Sequence, residues 1–378
     1  MTRTRTVLAA VVVGGFLAAA VSHNSGETPS SGTASPAAAE GARRGPVAPC
    51  GAVVSGLPLR RQLAQLTVVG VDASDVTAVV GLVRSEQVGG IFLGGNATPL
   101  LRDGALSRVQ AVTDLPVSVA VDDEGGRVQR IDALDGELPS ARNAAATMTP
   151  LQVHDLGLQR AQALRARGVT VDYAPVLDVS DQPAQAVIGD RSYGPDPESV
   201  TAYAYAFASG LREGGVMPVF KHFPGHGHAR GDSHRVLPQT PPLGRLSTSD
   251  LLPYERLAGF GAAGVMVGHL AVPGLTAGEP ASLSPAAYRL LRDTYRFDGP
   301  AVTDDLGAMR AITAAHPLPE AALLALRAGA DQVLWSSGGH VTEVLDRLVA
   351  AVTSGRLGAE RVREAVHRVL VAKGACRN

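Results

Sequence analysis

Eight short apolar runs, each followed by a glycine or a polar cluster and then by a longer helical pattern, constrain this chain more than any other feature. The runs are Leu66–Val71, Gly89–Leu93, Val117–Val121, Thr170–Pro175, Met217–Lys221, Gly264–Gly268, Pro300–Thr303 and Gln332–Trp335. Helical patterns separate them at Asp75–Glu86, Pro99–Thr113, Pro150–Arg167, Asp196–Glu213, Ser249–Ala263, Ser284–Tyr295, Leu318–Ala328 and Val341–Ala351, and an amphipathic stretch over Ala359–Ala372 closes the chain. Near-continuous apolar strands alternating with helices specify a parallel sheet covered on its outer face. Eight such units suit a (β/α)8 barrel, with a doubly wound open sheet as the alternative. No self-similarity beyond this alternation is present, which argues against a solenoid.

The first 46 residues stand apart. Arg3 and Arg5 precede an apolar run from Val7 to Val21 that contains Gly14 and Gly15 and ends on small residues. A charged start, a fifteen-residue apolar run and small residues make residues 1–21 a secretory signal. The alternative, a membrane anchor, needs about 20 apolar residues. No cysteine ends the run, so lipidation there has no support, and retention by an uncleaved segment stays open. Residues 22–46 are rich in Ser, Thr, Ala, Gly and Pro and read as a flexible linker. The expected folded domain is therefore 47–378. Cys50 and Cys376 flank it, and in an exported protein such a pair favours a disulfide over two buried thiols.

Charge excludes one large class. The chain carries 34 basic and 35 acidic side chains, a formal net charge of -1. A nucleic-acid binder shows a basic excess. Only two of the basic residues are lysines, Lys221 and Lys373, and four of the ten histidines (His222, His226, His228 and His234) fall within thirteen residues.

In a barrel, chemistry sits just after the strands. The unusual polar residues fall there: Asp122 and Glu124 after the third run, Asp178 after the fourth, Lys221 and His222 at the end of the fifth, His269 after the sixth, Asp304 and Asp305 after the seventh. The densest segment, Lys221-His222-Phe223-Pro224-Gly225-His226-Gly227-His228 followed by Asp232-Ser233-His234, is a shaped loop, because its proline and glycines forbid a helix. Its histidines could ligate zinc, yet they lack the helical spacing of a two-histidine zinc site, and no cysteine is near. Asp232 and His234 could instead form a dyad in which the carboxylate fixes the imidazole tautomer, making His234 a general acid and base. Of the adjacent Asp304 and Asp305, one can cap a helix while the other does chemistry, and the chemistry is assigned to Asp304. The segment Asp122 to Arg130 is acidic, then glycine-rich, then basic. It suits a hydroxyl-rich ligand gripped by charge-assisted hydrogen bonds, or a salt-bridged turn. Arg191, in Ile188-Gly189-Asp190-Arg191-Ser192, offers the same style of contact.

Six motifs in order now carry a family resemblance: Asp122 to Arg130, Ala174-Pro175-Val176-Leu177-Asp178, Ile188 to Ser192, the Lys221 to His234 loop, Pro280-Ala281-Ser282-Leu283-Ser284 and Thr303-Asp304-Asp305-Leu306. From about Leu57 onward the chain resembles glycoside hydrolase family 3, and more narrowly its NagZ-type β-N-acetylglucosaminidases. The resemblance implies a TIM barrel without the C-terminal α/β sandwich domain that supplies an acid/base glutamate in other members. It implies Asp304 as nucleophile, His234 as acid and base, and Asp232 as its partner. Asp122, Arg130, Arg191, Lys221 and His222 would hold the hydroxyls and acetamide of a terminal sugar. Asp123 departs from the family, which often has His or Gln there, and is expected to alter the rim.

The function expected from this resemblance is retaining hydrolysis of terminal β-linked N-acetylglucosamine from peptidoglycan fragments, with no cofactor, no metal and no stable protein partner. The alternatives are a β-glucosidase, a phosphorylase of the same fold, a zinc hydrolase, or a non-catalytic muropeptide-binding protein. His226 and His228 receive no role.

Overall fold

The computed structural model describes residues 48–377, and the expected signal and linker lie outside the described residues. Eight parallel strands close into a barrel in sequence order: β1 Thr67–Gly70, β2 Gly90–Leu93, β3 Ser118–Val121, β4 Val171–Asp172, β5 Met217–Phe223, β6 Gly264–Val267, β7 Ala301–Asp305 and β8 Gln332–Trp335. β1 pairs with β8, which removes every sheet edge. This settles the barrel against the open sheet.

Two apolar layers hold the barrel. Val68, Phe92, Tyr173, Val219, Met266 and Leu334 are among the side chains that fill the interior. The other face of each strand packs against the helices in a larger cluster that includes Trp335, Phe220 and Leu164. Strands buried on both faces explain why the runs are apolar throughout rather than alternating. The first and last described segments are joined: Cys50 and Cys376 form a disulfide across 326 residues of sequence, and the Cys50 N–H donates to the Arg377 carbonyl at 2.9 Å.

Three expected helices differ. Ser249–Ala263 is not an α-helix but a short 3-10 turn, Leu252–Arg256, because Pro253 removes a donor and Gly259 and Gly261 follow with positive φ. Pro99–Thr113 breaks at Asp103 and Gly104, both left-handed, into a 3-10 turn Pro99–Leu101 and a helix Ala105–Gln110. Ser284–Tyr295 begins as α-helix over Pro285–Arg289 and widens to a π turn over Leu290–Thr294. Among the strands, the expected Thr170–Pro175 is regular only over Val171–Asp172, although the Tyr173 N–H still donates to the Val121 carbonyl at 2.8 Å and the Ala174 carbonyl accepts the Val219 N–H at 3.0 Å. β5 and β7 each run two residues further than expected, which carries His222, Phe223, Asp304 and Asp305 into the barrel wall.

Candidate active site

The C-terminal ends of the strands surround a cavity of about 400 Å3. Asp122, Arg130, Arg191, Lys221, His222, His234 and Asp304 all line it. Asp232 stands behind His234, with its Oδ1 2.9 Å from the imidazole Nδ1. The structure therefore brings together the eight side chains singled out for sugar binding and chemistry.

One wall is a chain of alternating charge. The Lys221 Nζ lies 2.6 Å from Asp122 and 2.5 Å from Glu124. Glu124 in turn takes a two-point grip from Arg191, at 2.8 and 2.7 Å. Burial alone would push the Glu124 carboxyl up, but the Arg191 and Lys221 charges hold it well below the usual carboxylate range. Burial likewise opposes the Lys221 charge, and Asp122 and Glu124 overcome it, so the ammonium stays protonated. Arg130 joins this wall with a buried Nε that has no hydrogen-bond partner in the protein.

His222 is aimed by Asp178. The buried Asp178 carboxylate meets the His222 Nδ1 at 2.7 Å and accepts the backbone N–H of His226 at 2.7 Å. One carboxylate thus fixes both a ring and the loop that follows β5. Gly227 allows this loop to lie against Asp178's neighbour: a Cβ there would collide with the Val179 carbonyl. Despite its burial, Asp178 is held below the usual range by His222 and His226.

Asp304 and Asp305 have separate surroundings. Asp305 accepts N–H groups from Gly307 at 2.8 Å, Ala308 at 3.1 Å and Ser336 at 3.2 Å, and the Ser336 hydroxyl as well. It ties the loop after β7 to that after β8. Asp304 points into the cavity and accepts the Asp305 N–H at 2.9 Å. Burial would raise its pKa, but His269, His222, the Asp305 N–H and Lys221 together keep it low, so the carboxylate is ionised. His269 itself is buried and its pKa is depressed by that burial. Its Nε2 donates to the Asp305 carbonyl at 3.0 Å and its Nδ1 meets the Ser282 hydroxyl at 2.7 Å, which braces the strand end bearing Asp304.

Comparison with known proteins fits this geometry. The sequence model of the glycosyl hydrolase family 3 N terminal domain matches residues 58–372.

The chain belongs to glycosyl hydrolase family 3.

It is 48% identical to the beta-hexosaminidase LpqI of Mycobacterium tuberculosis, over 98% of this chain and 97% of that protein. A solved structure of M. tuberculosis LpqI superposes with a TM-score of 0.84 at 49% identity, covering 87% of this chain and 97% of that one. A beta-N-acetylhexosaminidase from Beutenbergia cavernae superposes with a TM-score of 0.78 at 29% identity, covering 84% and 99%. As a family 3 chain with this cavity, the protein is a glycoside hydrolase.

Against that family frame, Asp123 needs correction. It is not on the rim. Just past the end of β3, Asp122 lines the cavity while Asp123 turns away from it. It is fully buried in an ion pair with Arg160 of the helix Pro150–Ala166, and it also accepts the Arg130 N–H at 3.2 Å. Asp172 lies beside it and accepts the Asp123 N–H at 2.9 Å. The sequence places Glu124 and Asp178 at strand ends but assigns neither a role. Both lay inside motifs already singled out, but nothing in their spacing said that one would bridge two cations or that the other would aim a histidine. His228 lies outside the cavity lining, with its Nδ1 2.9 Å from Asp250. His226 lines the cavity, buried, with neither ring nitrogen hydrogen-bonded in the protein. Among the described residues no group of three or more His, Cys, Asp or Glu side chains is arranged to hold a metal.

Proposed function

We propose that this family 3 chain is an exported, retaining exo-β-N-acetylglucosaminidase that removes terminal β-linked N-acetylglucosamine from peptidoglycan fragments. The observation that carries the reading is one cavity holding both a buried, ionised Asp304 and an imidazole, His234, backed by its own carboxylate. The kinship with proteins named beta-hexosaminidase supports the sugar. The Cys50–Cys376 disulfide and the expected signal support an oxidising compartment outside the cytoplasm.

The chemistry runs in two steps. Asp304 attacks the anomeric carbon as the glycosidic bond breaks, and His234 gives a proton to the departing oxygen. The neutral His234 then takes a proton from water as that water displaces Asp304, which returns both groups to their starting states. Retaining glycosidases commonly use two carboxylates for these roles. A histidine with a carboxylate behind it does the same work, because Asp232 stabilises the imidazolium formed in the second step. The wall of Asp122, Lys221, Glu124 and Arg191, in which the last three hold their charge near neutral pH, offers donors and acceptors to the sugar hydroxyls and acetamide.

The test is turnover of an aryl β-N-acetylglucosaminide against the matching β-glucoside, with and without Asp304→Ala. The account expects a preference for the N-acetylated substrate and loss of turnover in the variant. Full activity in Asp304→Ala overturns the nucleophile assignment, and preference for the glucoside overturns the sugar assignment.

A further inference from the structure

The opposite end of the barrel holds a second cavity, of about 320 Å3, that the glycosidase reading leaves unused. Ser118, Val171, Met217 and Gln332, the first residues of β3, β4, β5 and β8, help to line it. This is the N-terminal face of the barrel, remote from the strand ends that carry Asp304. The charge of its lining has one sign. Arg165, Arg212 and Lys373 contribute to it, and no carboxylate does among the described residues.

Two of the cations are held in place by neutral groups. The Lys373 Nζ donates to the Gly89 carbonyl at 2.6 Å and to the Gln65 Oε1 at 3.0 Å, which leaves one of its three protons for another acceptor. The Arg212 guanidinium donates to the Phe260 carbonyl and lies over the Phe260 ring at 4.5 Å. Arg165 passes beside Gly215, where an added Cβ would come within 3.6 Å of its Nε. Unlike Arg191 in the sugar cavity, none of the three is neutralised within the wall of this cavity.

Gln332 supplies an independent sign. Its side chain is among the buried polar groups, 8% exposed, and its Nε2 has no hydrogen-bond partner in the protein. A buried amide donor needs an acceptor, and here every charged neighbour around the cavity is also a donor. The lining is rich in charged donors and carries no anionic acceptor among the described residues.

We propose that this N-terminal mouth binds a small tetrahedral oxyanion of the phosphate class. A dianion balances most of the three positive charges, and its oxygens accept from guanidinium, ammonium and amide together. Pro116, Val369 and Ala372 add apolar wall beside these donors. The room exceeds what one water fills, ~30 Å3 in the liquid, so the cavity takes the ion with space for a small ester body. Burial pushes the Lys373 ammonium down to about 7, and an anion beside it raises it again, so binding takes up protons near neutral pH. A ligand that binds the folded barrel here also stabilises it by mass action.

The test is calorimetric titration of the full chain with inorganic phosphate at pH 7, with saturating N-acetylglucosamine in the sugar cavity so that only the second site reports. The proposal expects one saturable site. It expects binding at least tenfold weaker in both Arg165→Gln and Gln332→Leu, with kcat and KM for the aryl glycoside unchanged. Acetate at equal ionic strength does not compete. Glycerol 3-phosphate distinguishes the sources: tighter binding assigns the site to a phosphomonoester, and equal binding assigns it to the free ion. No saturable heat overturns the proposal, as does undiminished affinity in the variants or equal competition by acetate. If Gln332→Leu does not fold, Arg165→Gln, an exposed position, decides alone.

Discussion

Asp232 holds His234 at two points: its Oδ1 accepts the His234 backbone N–H at 3.0 Å and meets the ring Nδ1 at 2.9 Å. The grip commits Nδ1 to the carboxylate and leaves Nε2 as the nitrogen for proton exchange. The pair sits on an open loop, with the His234 side chain 64% exposed, so the protein fixes its geometry by this local contact rather than by burial. Burial, slight as it is, would raise the Asp232 carboxyl, and the His234 N–H groups and charge hold it low, so the dyad keeps its anion.

The acid role makes a leaving-group prediction. Asp232→Ala and His234→Ala lower kcat/KM for poor leaving groups by roughly 10²–10⁴ and for activated aryl leaving groups by much less, since those need little protonation. A Brønsted plot of kcat/KM against leaving-group pKa measures this. Equal losses along the series remove His234 as the acid.

Lys221 is not replaceable by arginine. Its compact ammonium fits between Asp122 and Glu124, at 2.6 and 2.5 Å, with only 2% of the side chain exposed. A planar guanidinium is larger and directs its donors differently. Lys221→Arg raises KM for the aryl substrate about tenfold or more, a loss of roughly 1.4 kcal/mol per tenfold. A wild-type KM contradicts the reading that this ammonium shapes the sugar wall.

His228 predicts a pH dependence of stability. Its hydrogen bond to Asp250 raises its pKa, burial opposing, with Asp181 adding to the rise and Arg245 reducing it. A group whose folded pKa is raised stabilises fully below the unfolded value of ~6.5, and the contribution is lost as pH rises through the folded value. The Tm gap between wild type and His228→Asn is therefore widest below pH 6 and narrows as pH climbs above 7. A gap that widens with pH contradicts this.

Much of the fold and of the site is legible in the sequence, for definite physical reasons. The barrel strands announced themselves because burial on both faces leaves no polar alternation to blur them. The positions of Lys221, His222 and Asp304 followed from the rule that barrel chemistry gathers at strand ends. Other features depend on contacts between distant segments. Glu124 meets Arg191 across 67 residues and Asp178 meets His222 across 44, and no local pattern encodes such a meeting. Asp123 was expected to alter the rim, whereas it is buried against Arg160, 37 residues away in sequence, a meeting no local pattern encodes. The Ser249–Ala263 helix failed because amphipathic spacing outlasted what Pro253 permits the backbone to do.

The central claim is that Asp304 carries the sugar covalently, and trapping tests it most directly. In His234→Ala, an activated aryl β-N-acetylglucosaminide still loads the enzyme, because its leaving group departs without an acid. Release is slow, because no base activates water. Mass spectrometry of the quenched variant should find one N-acetylglucosaminyl group per chain, mapped to Asp304. An adduct on any other residue, or turnover with no adduct while product is released in a single inverted anomer, contradicts the account.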